Sequence, residues 1–265
     1  MTEPLNAAAA AEILRKYRIG SVPYLNARPL TDGIADQLSY DIPSRLAARF
    51  AAGELDAALV PVFEAVSRDQ ALVAEGMAIA SRGEVYSVFL AHREPLAELE
   101  SVALDPASRT SSHLVQCVLA EFHGLDLDYN ASPGDEAQAR VIIGDPAIAF
   151  RREHTGGEWH ILDLGAEWMR CTGLPFVFAC WVLREGLDNP AGIAEALRTV
   201  KIVGLAARER IAAAELDPAF AQKYLTDYIR FDLGEEEKRA IALFAALLRK
   251  HGLVSSAKDA EIRYV

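Results

Sequence analysis

Four hydroxyl side chains cluster at Ser108, Thr110, Ser111 and Ser112, with Arg109 among them, directly ahead of an apolar helical pattern (Leu114, Val115, Val118, Leu119, Phe122) that stops at Gly124. The first turn of a helix has backbone N–H groups without intrahelical partners and the positive end of the helix dipole. Such a start holds a carboxylate or a phosphate without needing a lysine. One hydroxyl suffices for an N-cap; four hydroxyls and an arginine exceed that need. Ser108, Arg109, Thr110 and Ser111 are therefore candidate anion-binding residues.

Three further polar residues stand beside apolar runs. Asn26 follows the strand-like stretch 18–24, where α/β proteins place ligand-facing groups, and it either faces a ligand or caps the next helix. Ser87 interrupts VYSVFLA (85–91), as a pocket hydroxyl on a rigid strand or as a hydroxyl bonded to nearby backbone. Asp145, ahead of Pro146, reads as a helix cap or as an acid/base group.

The elements that position these residues follow from periodicity. Short strands are predicted at 18–24, 55–60, 77–80, 85–91, 125–129, 139–144, 159–164 and 175–183, and residues 102–104 read as the end of another before a turn at 105–107. Helices are predicted just beyond Pro29 and at 46–54, from 145 on, and over 190–214, 218–228 and 235–251. Asn6 caps an alanine-rich helical extension within residues 1–17. Alternating α/β units, with long strands at 85–91 and 175–183 flanking a middle segment, predict an α/β fold of two lobes joined by a double crossover. Lobe 1 is expected to comprise 18–92 and 182–265, lobe 2 to comprise 93–181, with a ligand in the cleft between them.

Composition narrows the function classes. Of 265 residues, 51% are hydrophobic and 25% charged, an ordinary globular balance. A net charge of −11 argues against nucleic acid or an anionic membrane as partner, so an anionic ligand has to be attracted locally. Cys117, Cys171 and Cys180 include no CxxC pair and read as reduced, which points to a cytoplasmic setting. No histidine pair has metal spacing, and Walker, GxGxxG and GxSxG motifs are absent. No basic leader precedes the alanine run, and no stretch approaches the ~20 apolar residues of a membrane helix.

Seven motifs occur in a telling order: YLNARP (24–29), GELDAALVPV (53–62), SRGEVYSVFL (81–90), SRTSSHL (108–114), IGDPA (143–147), DLGAEW (163–168) and TGLPFVFACW (172–181). Together they resemble the menaquinone-biosynthesis dehydratases of the futalosine route, strongly over 18–181 and weakly beyond. The resemblance implies a fold like that of type II periplasmic binding proteins. It implies conversion of chorismate, a small dicarboxylate, to 3-[(1-carboxyvinyl)oxy]benzoate, an aromatising loss of water that needs no cofactor and no metal. The implied catalytic residues are Asn26 and Ser87, with Ser108, Arg109, Thr110, Ser111 and Asp145 binding substrate. His113, inside the helix, reads as a packing residue. A monomer or homodimer is expected. A sister enzyme of the same fold, acting on cyclic dehypoxanthine futalosine, carries a THAY-type motif where this chain has SRTS. A non-catalytic binding protein of that fold is the other alternative.

Overall fold

The computed structural model describes residues 5–106, 108–129, 138–254 and 261–265. Helix α1 (Ala7–Leu14) starts where Asn6 Oδ1 accepts from Ala9 N at 2.9 Å, and it buries Ala10 and Leu14. Strand β1 (Ile19–Ser21) leads into a 3₁₀ helix, Leu25–Leu30. Pro29 lies inside that helix, which therefore begins earlier than the proline suggested; a 3₁₀ turn this short tolerates the missing N–H. Then follow β2 (Leu38–Tyr40), α2 (Pro43–Ala51), β3 (Ala57–Pro61), α3 (Val62–Val66) and β4 (Gln70–Ser81). Strand β4 is three times the length expected. Its register against its neighbour shifts between Val73 and Ala78, around Gly76 at φ +85°, and this irregularity hides the first half of the strand from a periodicity reading.

The chain then crosses to a second sheet. Strand β5 (Val88–His92) is wholly buried, and α4 (Arg109–His123) is capped by Ser108 and closed by Gly124 at φ 66°. Next come β6 (Ala139–Ile143), α5 (Gly144–Glu153), β7 (His160–Asp163) and α6 (Leu164–Thr172). The return passes through β8 (Phe176–Leu183), followed by α7 (Pro190–Ala206), α8 (Arg208–Ala213), α9 (Pro218–Lys223), a π-type turn (Tyr224–Tyr228), α10 (Glu235–Lys250) and β9 (Glu261–Tyr264). The larger sheet has the order β2-β1-β3-β8-β4-β9, with β8 antiparallel to both neighbours; the smaller has the order β6-β5-β7, antiparallel throughout.

Strand β5 thus belongs to the second lobe's sheet and β8 to the first lobe's. The two crossings fall at 82–87 and 173–175, ahead of the 92/93 and 181/182 boundaries expected. Of the stretch 85–91 only residues 88–91 enter a strand, which runs on to His92; Tyr86, ahead of it, takes a left-handed φ of 67°. Residues 102–104 and 125–129 form no strand; isolated bridges join Ser101 to Asp128 and Ala103 to Arg140. Ala107, placed in the turn at 105–107, lies outside the described residues.

The return crossing is pinned by aromatic packing. Trp168 and Phe176 stand 5.1 Å apart between ring centroids, Phe176 and Phe244 5.2 Å, and Trp168 Nε1 donates to Pro175 O at 3.2 Å. Each ring buried here contributes area and edge-to-face attraction. Cys117 and Cys180 are buried and their thiols are pushed up to about 12 by that burial; Cys171 is part-exposed. No helix among the described residues is long and apolar enough to cross a membrane.

Candidate functional site

Residues from both lobes line a narrow hollow of about 70 Å³ that opens to solvent. From the first lobe come Tyr24 and Asn26, and from the second Ser108, Thr110 and Ser111 at the start of α4, with Ile143 and Gly144 ahead of α5. Apolar groups such as Val22, Leu59 and Phe178 make up the rest of the wall. An apolar chamber with few convergent polar groups suits a small ligand.

The four hydroxyls divide their work. Ser108 Oγ accepts from Ser111 N at 3.3 Å and is the true N-cap. Thr110 Oγ1 accepts from Phe63 N at 3.1 Å, so it ties α4 to the start of α3 across the lobes while its hydrogen stays available. Ser111 is buried on the wall. Ser112 turns back to Asp105 O at 3.0 Å and leaves the hollow. Arg109 leaves it too: its Nη1 pairs with Glu64 Oε1 at 2.7 Å and its guanidinium lies over the Phe63 ring at 4.6 Å. His113 also stacks on Phe63, with ring centroids 3.9 Å apart, as a packing residue.

Asn26 is the second residue of its 3₁₀ helix, whose N-cap is Tyr24, so it is not a cap. Its Nδ2 donates to Tyr224 Oη at 3.5 Å, and its Oδ1 is buried without a hydrogen-bond partner among the described residues. Ser87 lies in the crossover just ahead of β5 and is fully buried behind the wall, not on it. Its Oγ stands 2.7 Å from Tyr224 Oη. Asp145 does not cap α5, whose N-cap is Ile143, and it does not reach the hollow. It is exposed at a separate groove with Arg152, Glu215 and Asp217, where its surroundings, and then Glu215, hold its carboxyl above the ordinary range against the pull of Arg28. Arg28 itself pairs with Glu215.

Tyr224 had no signal in the sequence; it sits in the C-terminal helical stretch outside every shared motif. It is buried in the π-type turn, and that burial pushes its phenol well up. A π-turn inside a helix costs regular hydrogen bonds and is common at functional sites. Asp163 was also missed as an organiser. It accepts from Val85 N at 3.0 Å, Tyr86 N at 2.8 Å, Gly165 N at 3.1 Å and Ala166 N at 3.0 Å, and pairs with Arg151 at 2.9 Å. One carboxylate therefore caps α6 and fixes the crossover that carries Ser87.

Residues 17–250 match the family model described as menaquinone biosynthesis. The chain belongs to the menaquinone biosynthesis family. It is similar to a chorismate dehydratase of Thermus thermophilus, 29% identical over 89% of this chain and 96% of the relative. A chorismate dehydratase of Campylobacter jejuni is 25% identical over 83% of this chain and 88% of its own length. Among solved structures, a Candida albicans protein described as having the generic periplasmic-binding-protein fold superposes with a TM-score of 0.58, at 13% identity over 91% of this chain and 92% of that one. Its likeness speaks to the fold: two α/β lobes and a cleft. In this member of the menaquinone biosynthesis family, the cleft is where Asn26 and the α4 start meet.

Proposed function

We propose that the chain is a chorismate dehydratase, working in the cytoplasm, that eliminates water from chorismate to give 3-[(1-carboxyvinyl)oxy]benzoate. The observation that carries the reading is the meeting of the bare α4 start with Asn26 in one small chamber, in a chain whose relatives bear that activity's name. A ring carboxylate set against the first N–H groups of α4 and the hydroxyls of Ser108, Thr110 and Ser111 gains stabilisation as negative charge grows on it. That growth occurs when the C3–H bond breaks. The electron pair then forms the ring double bond as the C4–O bond breaks, and the departing oxygen takes a proton and leaves as water.

Among the described residues, no histidine and no carboxylate lines the chamber. The proton is therefore assigned to the substrate's own enolpyruvyl carboxylate, with the protein holding the two in reach. Asn26, whose buried Oδ1 has no partner among the described residues, is assigned the C4 hydroxyl. Ser87 acts from behind the wall, through Tyr224. Arg109 and Asp145 lie too far around the fold to be first contacts and are proposed to shape the approach to the cleft.

The deciding experiment is simple: purified protein and chorismate alone, followed by absorbance and mass. An aromatic product lighter than chorismate by one water is expected. Unchanged chorismate, or turnover of a futalosine derivative in its place, overturns the reading.

A further inference from the structure

We infer that Tyr224 is the positioning residue of this site, its phenolic oxygen joining Asn26 and Ser87 into one chain of hydrogen bonds and fixing the orientation of the Asn26 amide at the chamber. The inference rests on the reaction proposed above and deepens it. Three elements far apart in sequence meet at this oxygen: the 3₁₀ helix Leu25–Leu30, the crossover before β5, and the π-type turn Tyr224–Tyr228.

The directions follow from what each atom can do. An amide nitrogen donates and never accepts, so Asn26 Nδ2 gives its hydrogen to Tyr224 Oη. The phenol is buried, and among the described residues Ser87 Oγ is the acceptor within reach of its own hydrogen. Leaving a buried O–H unbonded is costly, so Tyr224 donates to Ser87. Two consequences follow. The Asn26 amide is held through its Nδ2, and its Oδ1, buried without a partner among the described residues, is left as the unused acceptor of a residue that lines the chamber. The Ser87 hydroxyl keeps its hydrogen as the far end of the chain, behind the wall that Val88 and Gly144 line; Gly144 N donates to Ser87 O at 2.8 Å.

Tyr224 reaches the substrate only through Asn26, and Ser87 only through Tyr224. Loss of Tyr224 therefore disturbs orientation more than binding, which the carboxylate contacts at α4 dominate. A misplacement of about 1 Å in a reacting group costs on the order of 100-fold in rate.

The test is Tyr224→Phe, which keeps the ring and removes the oxygen. With chorismate, kcat is expected to fall on the order of 100-fold while KM stays within about threefold. The double variant Tyr224→Phe/Ser87→Ala is expected to be no slower than the slower single, because both cut one chain. A Tyr224→Phe enzyme with kcat within twofold of the parent, or a double variant whose losses multiply, overturns the inference. A second arm needs no turnover and no change at Tyr224: the Cζ resonance of 13C-labelled Tyr224 in the parent and in Ser87→Ala. A clear shift supports the bond and an unmoved resonance refutes it. Should the parent protein leave chorismate untouched, the reaction assignment fails, and this resonance still decides the linkage.

Discussion

Tyr224 Oη lies 2.7 Å from Ser87 Oγ, a bond between residues 137 positions apart that closes the back of the chamber. Both side chains are buried, so neither exchanges its partner for water when the other is removed. Ser87→Ala strands the Tyr224 hydrogen. A loss of about 1–3 kcal/mol in unfolding free energy is expected, read by urea denaturation. A Ser87→Ala protein as stable as the parent would mean that the phenol finds another acceptor.

Thr110 ties the lobes through one backbone bond from Phe63 N. Thr110→Val keeps the shape and removes the acceptor, leaving a buried N–H unpaired. The expected outcome is a stability loss of about 1–3 kcal/mol together with weaker substrate binding, seen as a KM raised roughly tenfold, about 1.4 kcal/mol. An unchanged KM would place the carboxylate elsewhere than at the start of α4.

Gly204 on α7 is pressed against the 3₁₀ helix that carries Asn26: a Cβ built there would sit 2.0 Å from Pro29 O and 2.7 Å from Pro29 C. Backbone cannot swing aside as a side-chain tip can. Gly204→Ala is expected to push Leu25–Leu30 outward, costing about 1–3 kcal/mol, and to lower kcat by displacing Asn26. Unfolding curves and steady-state kinetics on the same preparation check both halves. Full activity in Gly204→Ala would show that Asn26 tolerates the shift.

Glu167 supplies a pH test remote from the site. Arg170, and then His123 at 2.7 Å, hold its carboxyl down to about 2 against the opposing effect of burial. A carboxylate lowered in the fold stabilises it above its ordinary pKa near 4.5, and the benefit is lost as pH falls toward 2. Because Arg170 is 64% exposed, solvent screening limits the contribution to about 1 kcal/mol. Glu167→Gln is therefore expected to be less stable than the parent by that amount at pH 7, with the gap narrowing steadily below pH 4.5. A gap constant with pH would mean that the ion pairs contribute nothing.

Local chemistry made much of this protein legible before any fold was drawn. The cap–helix–glycine pattern from Ser108 to Gly124 depends on residues a few positions apart, and α4 follows it closely. The apolar run 175–183 is buried on both faces as β8, which needs no knowledge of its neighbours to predict. The seven ordered motifs placed the chain in its family because their order along the chain is itself sequence information. Other features were invisible for equally local reasons. Strand β4 is broken by its irregularity near Gly76, and the edge strand β9 is four residues long. Tyr86 takes a positive φ, and the bond its N–H gives to the distant Asp163 helps to hold it.

The sequence alone, then, determined the layered α/β character and the hydroxyl-rich helix start, since those properties arise within one or two turns of chain. The tertiary structure decided which of those groups share a chamber. It kept Ser108, Thr110, Ser111 and Asn26, turned Arg109 to Glu64 and Asp145 to another groove, shut Ser87 behind the wall and brought in Tyr224. Side-chain direction and long-range pairing follow from how two sheets and their crossovers pack, and no spacing within a single segment encodes them.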